Sequence, residues 1–72
     1  PDNLNLRYNL ACTLVVELRE FDAALDLLEP AFEKLRLEAV NSAKTDPDLD
    51  LVREHPRFKA MVAAAEARLG QR

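Results

Sequence analysis

The chain contains one histidine, His55, and one cysteine, Cys12. A nucleophilic or acid–base site would need His55 to pair with Cys12, Ser42 or Thr45, and a carboxylate to orient the pair. The local context of each residue argues for a structural part instead. His55 precedes Pro56 at the start of an expected helix, which is a capping or linker position. Cys12 falls on the close-packed face of another expected helix. Buried apolar surroundings raise a thiol pKa and leave it inert. With no other member of a catalytic constellation in view, no enzymatic activity, no catalytic residue and no cofactor are expected.

Asp46, Asp48 and Asp50 imitate the alternating aspartates that open a calcium loop. That loop needs glycine at its sixth position and a bidentate glutamate at its twelfth, and here those positions hold Leu51 and Arg57. Pro47 also favours entry into a helix over wrapping around an ion. Helix capping is therefore the expected use of these aspartates, and no metal is expected. Asp22, Asp26, Glu29 and Glu33 form an acidic track at helical spacing. Such a track can dock a basic partner, but a solvated helix face is the simpler account. Phe58 and Met61 at helical spacing are expected in the core.

Composition sets the frame. With 72 residues, the chain is close to the lower size at which an apolar core alone sustains folding. Apolar residues are 49% and charged residues 32%, which favours a globular domain over a disordered one. A single glycine, no tryptophan and abundant Leu, Ala and Glu favour helix over strand. A lone cysteine cannot make an internal disulfide, and no secretory pattern opens the sequence. A reducing, cytoplasmic setting is expected. No apolar run approaches the roughly 20 residues that span a bilayer, so no membrane partner is expected. The first residue is Pro1 rather than methionine, and the sequence reads as the C-terminal part of a longer protein. The net charge of −3 divides unevenly. Residues 1–50 hold 11 acidic and 5 basic groups, and residues 51–72 hold 2 acidic and 5 basic. The basic end is too sparse and too poor in stacking aromatics for nucleic acid.

Hydrophobic spacing divides the chain into helices. Leu4, Tyr8, Ala11, Val15 and Leu18 mark one apolar stripe of a helix over residues 3–18, with Asp2 or Asn3 as its cap. Leu6, Leu10, Leu14 and Val16 are also apolar and lie off that stripe. This leaves one polar track of Asn5, Asn9, Thr13 and Glu17. A helix apolar on so much of its circumference asks to be covered on more than one side. Arg19 and Glu20 make a turn. A second helix over about 21–35 turns Phe21, Ala24, Leu25, Leu28, Phe32 and Leu35 inward, with Pro30 bending its axis. Residues 37–44 form two helical turns. Asp46 then caps a short helix that begins at Pro47 and ends near Glu54. A last helix turns Phe58, Met61, Val62, Ala65 and Leu69 inward and stops at Gly70.

The spacing Tyr8-x2-Ala11-Cys12-x2-Val15-x8-Ala24-x3-Leu28-x2-Ala31 resembles the ladder of large and small residues in a tetratricopeptide repeat. Alternating large and small residues let two antiparallel helices approach closely. Residues 46–58, Asp-Pro-Asp-Leu-Asp-Leu-Val-Arg-Glu-His-Pro-Arg-Phe, resemble the tail that often follows the last repeat of bacterial proteins of this family. The glycine usual at the turn is Arg19, and the proline that usually closes the repeat is missing at Arg36. The resemblance implies one all-α domain over 1–72, with a helix pair at 4–35 and capping helices over 37–72. It also implies a module that binds a protein or peptide on its first helix, through Asn5, Asn9, Thr13, Val16 and Glu17. The lysine clamp by which some members hold a carboxylate tail has no counterpart at Asn9, Thr13 or Glu17. The alternative is a purely structural cap ending a longer array of repeats. Leu6, Leu10 and Leu14 are expected to meet either a second copy, as a homodimer, or a preceding repeat.

Overall fold

The computed structural model describes residues 3–70. It comprises α1 (Leu4–Val16), α2 (Phe21–Phe32), α3 (Leu37–Thr45), a 3-10 helix (Pro47–Val52) and α4 (Pro56–Arg68). The chain is all-α, and no strand occurs among the described residues. No helix is long and apolar enough to cross a membrane.

Asn3 caps α1, its Oδ1 accepting from the Leu6 N–H at 3.0 Å. The alternative cap, Asp2, lies outside the described residues. α1 ends at Val16, two residues earlier than its apolar spacing suggests. Arg19 takes a positive φ of 55°, and the Glu20 N–H reaches back to the Leu14 carbonyl at 2.9 Å. Leu18 thereby leaves the helical stripe and is 60% exposed. The turn uses the left-handed conformation usually given to glycine, at a cost of about 1 kcal/mol or more for a residue with a Cβ.

α1 and α2 form a hairpin around small side chains. Ala11, Val15, Ala24, Leu25, Leu28 and Ala31 are fully buried, and Cys12 nearly so. Tyr8 and Leu14 are half-buried and pack against this core, which removes Leu14 from the free face expected to hold all three leucines. α2 stops at Phe32, three residues short of the expected end. Pro30 has no N–H to bond back along the helix, and the last turn tightens, with Lys34 N–H bonding to the Ala31 carbonyl at 2.9 Å.

α4 closes the other side. Phe32 and Phe58 meet edge to face, ring centroids 6.0 Å apart, an arrangement aromatic pairs favour. Arg68 donates to the carbonyls of Phe32 (2.9 Å) and Leu35 (2.8 Å), the groups left open where α2 ends. Arg57 pairs with Asp26 (2.9 Å) and Glu29 (3.2 Å), so half of the acidic track on α2 is engaged by α4 and is not simply solvated. Arg53 donates to the carbonyls of Ala43, Lys44 and Asp46, satisfying the C-terminus of α3. Phe58, Met61 and Ala65 are buried, Val62 and Leu69 half-buried, and Gly70 ends α4 with a φ of 76°.

Two substitutions in the hairpin pull in opposite directions. Arg19→Gly removes the Cβ from a left-handed residue and is expected to raise stability by about 1 kcal/mol. Ala24→Leu overfills a fully buried contact and is expected to cost roughly 1–3 kcal/mol. In a domain of this size each kcal/mol moves the melting temperature by about 4–8 °C. Thermal melts followed by circular dichroism read both, and an Ala24→Leu melt equal to that of the parent would contradict the tight crossing.

Candidate functional site

Asp46 organises the region. Its backbone is extended at the end of α3, and its Oδ1 accepts from the Asp48 N–H at 3.0 Å, capping the 3-10 helix that begins with Pro47. Its Oδ2 accepts from the Tyr8 hydroxyl at 2.7 Å, across 38 residues of sequence. One carboxylate therefore starts the 3-10 helix and fastens it to α1. The capping role expected from the sequence is present, in a 3-10 rather than an α-helical segment. His55 has the same kind of role one element later. Its Nδ1 accepts from the Arg57 N–H at 3.1 Å and caps α4.

Where the 3-10 helix lies against α1, the two leave a cavity of about 310 Å³. It is lined by Asn9, Cys12, Thr13, Val16 and Glu17 of α1 and by Asp48 of the 3-10 helix. Four of the five residues expected to face a partner are thus brought together. The fifth, Asn5, is exposed on α1 outside this cavity. Cys12 and Asp48 are additions that the sequence reading assigned to packing and capping. Cys12 stands one helical turn from Asn9 and from Val16, so its place on that face is a matter of spacing. Asp48 arrives only through the long-range Tyr8–Asp46 bond.

The chemistry of the cavity is rich in acceptors. The Thr13 hydroxyl donates to the Asn9 carbonyl at 3.1 Å, leaving its oxygen able to accept. Glu17 follows the last turn of α1, and its side chain forms no ion pair among the described residues; nor does that of Asp48. The Cys12 thiol is 8% exposed and has no hydrogen-bond partner there. Burial first, and then the charges of Asp46 and Asp48, push its pKa up to about 11. Burial, the bond to Asp46 and that carboxylate's charge also raise the Tyr8 phenol. The thiol is therefore protonated and inert near neutrality. Because the fold holds this proton more tightly than the unfolded chain does, the associated stability is intact below the unfolded thiol's value. It is lost as pH rises through about 11.

Among the described residues, one group of three metal-ligating side chains converges: Cys12, Asp46 and Asp48, with ligand atoms within 4.8 Å of one another. Both Asp46 oxygens already accept hydrogen bonds, and the thiol holds its proton. Asp50 turns away to Arg53 at 2.6 Å, so the three aspartates do not form a calcium loop.

Two other concavities flank α4. One, of about 370 Å³, runs between α2 and α4 over Phe32, Met61, Ala60 and Ala64. On its rim Glu29 is bound to Arg57 and Arg68 to backbone carbonyls. The other, of about 280 Å³, is bordered by Lys44–Glu66 and Glu54–Lys59 ion pairs and by the engaged Arg53. The cavity on α1 differs from both in gathering side chains that the fold leaves unused.

Comparison with protein-family models, with curated proteins and with solved structures gives no match to this chain.

Asp46→Ala is expected to cost about 0.5–2 kcal/mol for the lost cap, with a further loss of about 1 kcal/mol from the Tyr8 hydrogen bond. Tyr8→Phe removes only the second part, and adding it to Asp46→Ala should change little more. Calcium should leave every one of these melting temperatures where it was. Strictly additive losses in the double variant, or a calcium-dependent rise, would contradict the dual role of Asp46.

Proposed function

We propose that this chain is a protein-interaction module of tetratricopeptide-repeat type that receives an extended peptide or partner helix on the exposed face of α1. The observation that carries the reading is the shared cavity of Asn9, Thr13, Val16 and Glu17. These are positions that the family resemblance turns toward a ligand, and their polar groups take no part in holding the hairpin to the rest of the fold. Asn9 both donates and accepts, which suits recognition of a peptide backbone with limited dependence on its side chains. The rigid support beneath is the buried core of α1 and α2. The proposed role is assembly or scaffolding in a reducing compartment, without catalysis of its own.

Selection of peptides from a displayed library against the chain tests this. Selected peptides are expected to shift the amide resonances of Asn9, Thr13, Val16 and Glu17. Asn9→Ala should weaken them by about five- to tenfold, the worth of one or two lost hydrogen bonds. Peptides that shift only α4, or a selection that enriches nothing, would refute the module.

A second reading is favoured by Leu6 and Leu10. They lie on the outer side of α1 at 65% and 48% exposure, and leaving them in water forfeits about 1.5–3 kcal/mol each relative to full burial. In this reading α1 is an internal joint, covered by a second copy in a two-fold dimer or by a preceding repeat, and the chain is a structural cap. Sedimentation of the isolated chain should then show concentration-dependent self-association that Leu6→Glu with Leu10→Glu abolishes. A chain that stays monomeric at high concentration, or a double variant that associates as the parent does, would remove the self-association reading.

A further inference from the structure

The α1 cavity presents several hydrogen-bond acceptors and almost no donors. Its acceptors are the carboxylates of Glu17 and Asp48, the side-chain carbonyl of Asn9 and the hydroxyl oxygen of Thr13; the Asn9 amide is the chief donor. No basic side chain lines it. Elsewhere the chain pairs its charges closely: Arg57 with Asp26 and Glu29, Lys44 with Glu66, Arg53 with Asp50, Lys59 with Glu54. Two carboxylates facing one concavity without a counter-charge depart from that pattern. Asp46 sits behind them, so the cavity lies in the field of three acidic groups. At its wall is a thiol more than nine-tenths buried, with no partner and held protonated by that field. Beside it Val16, at 44% exposure, adds an apolar strip.

We infer that this cavity receives the side chain of an arginine presented by an extended peptide. The inference rests on the interaction reading above and names the partner's chemistry. A guanidinium carries five donors in a planar fork, which can divide between Glu17 and Asp48 and leave donors for Asn9 and Thr13. Its aliphatic stem lies along Val16, as long basic side chains do on apolar strips. Lysine offers the same charge with a point geometry and binds less tightly. An acidic peptide or a free C-terminal carboxylate meets like charge here. A metal ion finds Asp46 already bonded twice and a thiol that holds its proton.

The test is an amide-shift titration with the pentapeptide Ac-Ala-Ala-Arg-Ala-Ala-NH2 and its lysine and citrulline counterparts, in the presence of a chelator. The arginine peptide is expected to move Asn9, Thr13, Glu17 and Asp48. Citrulline, equal in shape but uncharged, should bind about tenfold more weakly, as should the arginine peptide to a Glu17→Gln, Asp48→Asn variant. Both carboxylates are exposed, and Asp48→Asn keeps the N–H that Asp46 caps, so an unchanged melt separates binding from folding. Equal binding of the citrulline peptide, or arginine shifts confined to other surfaces, overturns the inference. Library peptides that map to α1 but lack arginine overturn it while leaving the interaction module standing. If no peptide of either kind maps to α1, both fall.

Discussion

The two hydrogen bonds accepted by Asp46 set the arrangement of everything C-terminal to the hairpin. One fixes where the 3-10 helix begins, and the other fixes which face of α1 it meets. Once the segment is pinned there, Leu49 and Val52 drop into the core and Leu51 is left outside. Arg53 then reaches the carbonyls at the end of α3, and His55 starts α4 in position to cross α2. A chain of this length has few apolar contacts to spare. Directional bonds at element ends therefore do a larger share of the work of choosing one arrangement among several compact ones.

Cations at helix C-termini are the second recurring device. Arg53 serves α3 and Arg68 serves α2, each donating to carbonyls that have no partner within their own helix. Arg57 adds ion pairs from α4 to the acidic track of α2. These pairs are exposed and contribute little energy individually, but they are consistent with one orientation of α4. The uneven charge of the sequence, acidic early and basic late, is the footprint of this docking. Only the α1 cavity keeps acidic groups facing a concavity with no cation at its wall. That is why the functional argument concentrates there and not at the larger apolar groove.

Elements and caps were legible in the sequence because their causes are local. The helix stripes, the Asp46–Pro47 start, the His55–Pro56 start and the Gly70 stop each depend on neighbours within a turn. The left-handed turn at Arg19 was legible only through the family pattern, since arginine itself gives no sign of it. What periodicity could not supply were pairings between distant residues. Tyr8 with Asp46, Arg68 with Phe32 and Leu35, and Phe32 with Phe58 all join separate elements. The early end of α2 had a local cause in Pro30, but a bend and a stop are hard to tell apart without knowing that Arg68 waits to satisfy the freed carbonyls. Leu14 was assigned to the free face by its spacing from Leu6 and Leu10, and core packing drew it half inside. The site was legible to the extent that it lies on one helix: Asn9, Thr13, Val16 and Glu17 share a face by spacing alone, and Asp48 does not.

The cavity has one wall on α1 and another on the 3-10 helix, and those walls are held together by the Tyr8–Asp46 bond. Binding there and docking of the C-terminal segment are consequently linked. A ligand that bridges Asn9 or Glu17 to Asp48 favours the docked state by its differential affinity for it, and a stably docked segment preorganises the site in return. The capping segment that completes the core is thus also half of the proposed receptor. A purely structural cap and a binding module need not be separate molecules in this fold. One face of α1, with Leu6 and Leu10, is suited to joining a neighbouring helix, while the adjacent face, with Asn9 and Thr13, stays free to read a ligand against Asp48.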